Sequence, residues 1–306
     1  MIKRDGIDIT NTNRNSGNNP NVRLMNARTK NVSIAKETIA ITAQKKYTTP
    51  SGQMVDISQA VDNCLEKTVL YAPYANLPDT DWETCTPTIE VNNETTAQAA
   101  VRLLQAGKQD IVALNFASAR NQGGGFLAGA VAQEEDLCRA SALYASLKSK
   151  PIFYNENILC DDALYTDNVI YSPNVPFFRR EHNLLLEEPF TLSIVSSPAP
   201  NVHAMGVEDL EHEDFDMVIY STMLHRMTRF LNIAAAHGHQ TIILGGWGCG
   251  AFGNDPGQVA SAFHEALRKV PAFKHVCFAV YDVREPPVVY ESFKEIFLAQ
   301  PGTSIL

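Results

Sequence analysis

Apolar residues near the start of the chain fall at helical spacing, and those in the last two-thirds gather into short runs separated by helical stretches. Between residues 30 and 46, Val32, Ile34, Ala35, Ile39 and Ala43 share one helical face, with Ser33 placed to cap it. Pro50-Ser51-Gly52 marks a turn. Residues 54–57 read as a short edge strand and 56–65 as a second short helix. Residues 94–106 predict a helix closed by Gly107. Residues 111–116 form a near-continuous apolar run of strand length, as expected of a strand covered on both faces. Beyond a glycine loop, 133–149 reads as one helix. Strands are predicted over 169–172, 191–196, 241–244 and 275–281. Helices are predicted over 222–237, 256–269 and 290–299, the middle one with Pro256 in its first turn.

Strands alternating with helices predict an α/β fold, a mixed sheet with helices on both faces. Ligands of such sheets bind beyond the carboxyl ends of the strands, and both glycine-rich loops follow predicted strands. Residues 5–22 are rich in Asn, Thr and Gly, with little apolar beyond Ile7 and Ile9, so 1–27 is expected to be a flexible leader. Residues 28–87 are expected to form an N-terminal helical accessory segment packed on the core, and 88–306 the main α/β domain.

Composition narrows the partners. The 306 residues are 45% apolar and 19% charged, the balance of a soluble globular enzyme. A net charge of −9 argues against a basic face for DNA, but not against an anion held locally by backbone amides. No apolar run approaches the ~20 residues that span a bilayer, and no secretory pattern opens the chain. Six cysteines, none spaced as C-x-x-C, read as reduced thiols of an intracellular, cytoplasmic protein. The histidines (182, 203, 212, 225, 237, 239, 264 and 275) are scattered, and none shares helix spacing with a second ligand. No metal site and no cofactor are expected.

Two constellations carry chemistry. In the first, Asn115-Phe116-Ala117 leads through Gly123-Gly124-Gly125-Phe126 to Gln133-Glu134-Glu135. Three consecutive glycines cost chain entropy, which is tolerable where backbone must approach a ligand closely. Acidic residues in a first helical turn usually only complement the helix dipole; behind a strand and a triple glycine, a site is an equal reading. Cys138 is expected to pack inside rather than act as a nucleophile. In the second, Gly245-Gly246-Trp247-Gly248-Cys249-Gly250-Ala251-Phe252-Gly253-Asn254-Asp255-Pro256 joins a strand to a helix. Its glycines can present N–H groups to phosphate oxygens. It lacks the Lys-Ser/Thr of a Walker A loop and lies too late in the chain for a dinucleotide fingerprint. Asp255 reads as an N-cap. Phe126 and Phe252 are both candidates to pack on a ribose or adenine, Phe252 the better one because glycines bracket it.

The triple glycine followed by Gln133-Glu134-Glu135 and Leu137-Cys138-Arg139 closely resembles the signature of microbial-type poly(ADP-ribose) glycohydrolases. The late glycine loop resembles that family's phosphate loop, and the stretch around Ala35-Lys36-Glu37-Thr38 its accessory segment. The resemblance runs from about residue 28 onward. It implies a macrodomain-like fold, Glu135 as catalytic glutamate and Glu134 as the neighbour that holds the ribose. It implies a substrate-binding set of Asn115, Gly123, Gly124, Gly125, Gln133, Gly246, Gly248, Cys249, Gly250, Ala251, Phe252 and Gly253. The implied partners are poly(ADP-ribose), ADP-ribose and ADP-ribosylated proteins.

The implied chemistry is cleavage of the ribose–ribose bond. Glu135 as an acid protonates the leaving oxygen, an oxocarbenium-like sugar develops, and the ionised Glu135 then activates water. Burial and the like charge of Glu134 are expected to keep the acid form populated once substrate excludes water, and a bulky residue at Gly124 to obstruct the ligand. A non-catalytic ADP-ribose reader and a hydrolase of mono-ADP-ribosylated proteins are the alternatives.

Overall fold

A computed structural model of the chain describes residues 20–77, 82–180 and 183–298. The chain opens with α1 (Pro20–Gln44), a small hairpin of β1 (Lys46–Thr48) and β2 (Met54–Asp56), α2 (Ser58–Lys67) and β3 (Val69–Tyr71). Then come β4 (Thr88–Asn92), α3 (Thr96–Gln105), β5 (Ile111–Phe116), α4 (Gln133–Ala140), α5 (Leu143–Lys148) and α6 (Pro151–Leu159). The long strands β6 (Val169–Arg179) and β7 (Leu185–Ser197) precede α7 (Val207–Leu210), α8 (Phe215–Ala236) and β8 (Thr241–Leu244). The last elements are α9 (Pro256–Lys269), β9 (His275–Ala279) and α10 (Val288–Leu298).

Seven strands form the main sheet in the order β3-β6-β7-β5-β8-β9-β4. β7, β5, β8, β9 and β4 run parallel, whereas β6 is antiparallel to both neighbours. Period-two alternation sorts the side chains. Val112 and Leu114 join Met223, Phe230, Phe263 and Phe293 on one face, and Ile111 and Ala113 join Leu137, Leu143 and Phe153 on the other. Both faces are covered, which is why β5 is apolar from Ile111 to Leu114. The carboxyl ends of β5, β7, β8 and β9 therefore open on one edge.

Several boundaries depart from the sequence expectation. α1 begins at Pro20, so 20–27 of the expected leader is helical; residues 1–19 of that leader lie outside the described residues, as does His182. The helix expected over 133–149 is two helices. Ser141 is extended (φ −148°, ψ 179°) and bridges to Phe177 of β6. Its hydroxyl donates to the Leu137 carbonyl and accepts from the Leu143 amide, at 2.7 and 3.2 Å, so the break is held by a serine that competes for helix backbone groups. β6 and β7 run well beyond the apolar segments that announced them, because their outer halves pair with each other through a register shift after Ser172.

Among the described residues no helix is long and apolar enough to cross a membrane. All six cysteines are free thiols.

Candidate active site

β5 delivers Asn115 and Phe116 to the open edge, and the chain loops through the triple glycine before α4 starts at Gln133. The Gln133 side chain fastens this start. Its Oε1 accepts from the Phe116 amide at 2.9 Å, and its Nε2 donates to the Leu114 carbonyl and Thr96 Oγ1 at 2.7 and 3.1 Å. With α4 pinned to β5, the next two side chains turn into the interior although both are acidic; Glu134 is 3% and Glu135 8% exposed.

Each carboxylate is held by backbone. Glu134 accepts from the Ser118 amide at 2.8 Å and from Asn115 Nδ2 at 3.1 Å. Asn115 is itself fully buried and also donates to Ser196 Oγ at 3.1 Å. Glu135 Oε1 accepts from the Gly125 amide at 2.7 Å. Its Oε2 is buried without a partner, the state of an atom for which a bond is still to be made. Burial holds the Glu134 carboxyl protonated toward neutral pH. Its pKa is pushed up to about 8, by loss of hydration first, against the Ser118 and Asn115 hydrogen bonds and with help from the Glu135 charge.

The triple glycine wraps the carboxylates. Gly124 has φ +59°, and a Cβ there would stand 2.5 Å from Glu135 Oε1 and 3.0 Å from Glu134 Oε2. A Cβ at Gly125 would collide with Ala130, and one at Gly123 would press on Tyr144 and Cys138. The glycines thus make room for the glutamates at least as much as for a ligand. Cys138 is fully buried and burial raises its thiol well above the ordinary range. Phe126 is buried too, its ring 5.0 Å from that of Tyr144, which removes it as a stacking surface.

The second loop leaves β8 and returns into α9, whose N-cap is Asp255 accepting from the Gln258 amide at 2.8 Å. Buried Trp247 anchors it by donating from Nε1 to the Ser197 carbonyl at 2.9 Å and standing edge-on to Phe230. Buried Asn254 ties it crosswise, donating to the Pro200 and Gly248 carbonyls at 2.8 and 3.2 Å. Gly248 lies at φ +78° against the Asn254 amide, and Gly253 against the His203 ring. Gly250 alone in this loop meets nothing within 4 Å. Phe252 is half-buried beside Tyr165, with ring centres 6.1 Å apart. Burial pushes the Cys249 thiol up to about 12.

One cleft of about 890 Å³ unites these parts, running from Gly246, Gly248, Cys249, Gly250, Ala251 and Phe252 past Gly124 to Glu134 and Glu135. Gly123, Gly125 and Gly253 stand behind its wall, and Asn115 lies beneath it, reaching it only through Glu134. Gln133 borders it, but the side-chain oxygen and nitrogen are already bonded to protein. A separate cleft of about 710 Å³, lined by Asn174, Pro189 and Phe190, contains none of these groups.

The walls include residues that sequence reasoning missed. Tyr281 to Arg284 follow β9 at the same edge, and the rule that ligands bind past strand carboxyl ends was the signal for them. Asp282 holds this wall, accepting from Arg284 and from the Val289 amide at 2.8 Å. Arg179, Arg180 and Asn183 also border the cleft; they arrive on the unannounced outer part of the β6–β7 hairpin, and no local pattern marks them.

Among the described residues no three His, Cys, Asp or Glu side chains converge to hold a metal.

The family model for the catalytic domain of microbial-type PARG, poly(ADP-ribose) glycohydrolase, matches residues 35–180. A poly(ADP-ribose) glycohydrolase structure from Thermomonospora curvata is 41% identical and superposes with a TM-score of 0.81, covering 88% of this chain and 100% of that one. Its complex with the inhibitor ADP-HPD matches at 40% identity and a TM-score of 0.79 over the same shares. The Deinococcus radiodurans glycohydrolase in complex with ADP-ribose is 37% identical with a TM-score of 0.69, covering 80% of this chain and 99% of that one. A comparison with curated protein sequences finds no match.

Proposed function

The chain belongs to the microbial-type poly(ADP-ribose) glycohydrolase family, and from that premise we propose that it releases ADP-ribose from poly(ADP-ribose) with Glu135 as general acid and then general base. The observation that carries this reading is the Glu135 carboxylate itself. One oxygen is fixed by the Gly125 amide, the other is buried and unpartnered, and the residue lines the cleft.

The terminal ADP-ribose unit lies with its diphosphate along the backbone from Gly246 to Phe252 and its ribose over Gly124. Such a loop binds phosphate through N–H groups and needs no cation. Glu135 Oε2 faces the oxygen that joins the two sugars. That oxygen leaves poorly as an alkoxide, so Glu135 gives it a proton as the anomeric carbon–oxygen bond breaks. Positive charge develops on the sugar. Glu135, now ionised, takes a proton from water as the water oxygen bonds to the anomeric carbon, which restores the acid and completes hydrolysis. Glu134, protonated toward neutral pH, adds little negative charge beside it and is free to hydrogen-bond a ribose hydroxyl.

ADP-ribosylated proteins in the cytoplasm are the proposed carriers of the substrate. Residues 28–87 act as an accessory segment to the catalytic domain of 88–306: Thr38 donates to the Arg139 carbonyl at 2.9 Å, close behind the glutamates. The test is incubation with poly(ADP-ribose), with mono-ADP-ribosylated protein, and with ADP-ribose alone. Free ADP-ribose appearing from the polymer supports the reading. Binding without release identifies a reader, and release from the mono-modified protein alone identifies the other hydrolase.

A further inference from the structure

We propose that Arg180 binds the diphosphate of the polymer unit on the leaving side of the scissile bond. This rests on the reading that Glu135 marks that bond.

The substrate is a polyanion and the protein carries a net charge of −9, so the substrate's phosphates depend on the few cationic groups along the cleft. Among the described residues three arginines border it, and no lysine or histidine does. Arg284 is paired with Asp282 at 2.8 Å. Arg179 is 3% exposed and paired with Glu37 at 2.7 Å. Arg180 is exposed, and among the described residues no carboxylate lies within ion-pair distance of it. Asp136, the exposed carboxylate on the neighbouring turn of α4, is taken by Arg139. Among the described residues, Arg180 is thus the cleft arginine without an acidic partner, its charge left for a ligand.

Its place relative to the glutamates sets which part of the polymer it meets. The phosphate loop lies at one end of the cleft. Arg180 belongs to the other end, where β6 runs beside the last turn of α4: Ser141 bridges Phe177, and Thr38 links the Arg139 carbonyl to Arg179 Nε. From Glu135 to Ala140 the helix rises by about 7.5 Å at 1.5 Å per residue. That is a sensible stride from a sugar–sugar oxygen toward the adenosine and diphosphate of the neighbouring unit.

The described residues beside Arg180 hold its backbone in place. Asn183 sits at φ +63°, a conformation asparagine tolerates. Its amide donates to the Arg180 carbonyl, and the Arg180 amide to the Leu184 carbonyl, both at 3.0 Å. Buried Arg179 clamps the turn from below, donating to the Asn183 carbonyl at 2.9 Å while held by Glu37 and Thr38. A guanidinium held at its backbone, with no acidic partner among the described residues, suits bidentate binding of phosphate oxygens.

The experiment measures kcat/KM on long poly(ADP-ribose) for the wild type, Arg180→Ala, Arg180→Glu and Arg180→Lys over a series of salt concentrations, with ADP-ribose affinity measured in parallel by calorimetry. A charge-assisted phosphate contact predicts a loss of about tenfold for Arg180→Ala, a larger loss for Arg180→Glu and partial recovery with Arg180→Lys. The salt dependence should become shallower by somewhat less than one unit of log–log slope for Arg180→Ala, as expected when one phosphate contact is lost. ADP-ribose affinity should hold in all of them, because the terminal unit lies on the other side of the glutamates. Unchanged kcat/KM and salt slope in both Arg180→Ala and Arg180→Glu would overturn the proposal. So would a matching loss of ADP-ribose affinity, which would place Arg180 on the terminal unit. Failure of the catalytic reading shows itself separately, as a wild type that releases nothing.

Discussion

The two glycine-rich loops sit at the same sheet edge and look alike in sequence, yet their glycines answer different demands. In the 123–125 loop the missing Cβ atoms make space for two buried carboxylates, and Gly124 is the extreme case. In the 245–253 loop most of them make space for the protein's own braces, the Asn254 amide, the His203 ring and the Val289 side chain. Only Gly250 faces open volume. A run of glycines therefore announces close approach without saying what approaches. The first loop is shaped around two buried carboxylates, and the second is a braced backbone with one bare stretch open to the cleft.

The largest effect that would test this contrast is Glu135→Gln. It should lower turnover by about 10² to 10⁴-fold, the usual scale of general acid–base catalysis, and leave ADP-ribose affinity near wild type by calorimetry. Near-normal turnover would remove Glu135 from the chemistry. Gly124→Ala comes next. The added methyl has to displace the Glu135 carboxylate and adopt φ +59°, so we expect at least a tenfold fall in kcat and a stability loss of about 1–2 kcal/mol in denaturant titrations. A folded Gly124→Ala protein with full kcat and weakened ADP-ribose binding would restore the ligand as the reason for that glycine.

In the second loop, Asn254→Ala should lower stability by about 1–3 kcal/mol, because two carbonyls lose a buried donor. ADP-ribose affinity should fall with it as the loop loosens; intact affinity would mean that Trp247 alone braces the loop. Gly250→Ala is the sharpest and smallest change. It meets no protein atom and should alter stability by no more than about 0.5 kcal/mol, while ADP-ribose binding weakens if phosphate approaches there. Equal affinity would move the phosphate elsewhere along the loop.

The raised carboxyl of Glu134 also gives a pH signature. Its folded-state pKa of about 8 lies above the ordinary 4.5. Between those values the folded protein keeps a proton that the unfolded chain has lost, so this group's contribution to stability falls as pH rises from 4.5 to 8. Melting curves at pH 5, 6.5 and 8 should show a decline in the wild type that Glu134→Gln flattens. An equal slope in both proteins would assign the decline to other groups.

Where burial follows a local pattern, the fold was readable in advance. β5, β8 and α9 lie where their apolar spacing and caps put them, since each is covered by neighbours on the faces the pattern marks. The outer halves of β6 and β7 carry Arg179, Glu187 and Glu188 among their apolar residues. Only pairing with each other makes them strands, so the hairpin that brings Arg180 to the cleft left no periodic trace. The same limit applies within the site. The glycine loops and paired glutamates stood out because unusual residues cluster there. That Asn115 and Gln133 serve as braces for the glutamates and β5 depends on partners brought together by folding, which residue type alone does not disclose.

The helix α1 has a consequence for how the enzyme comes into being. Arg28 donates from Nε to the Ala128 carbonyl at 2.8 Å, Asn31 reaches the Gly129 carbonyl, and Gly129 has no side chain where the Arg28 carbonyl passes. These partners are about a hundred positions apart in the chain. During synthesis from the amino end, α1 therefore leaves the ribosome well before the surface it will rest on exists, and closing so long a loop is slow. The lock at residues 128–129 therefore joins an early-made helix to backbone that emerges about a hundred residues later.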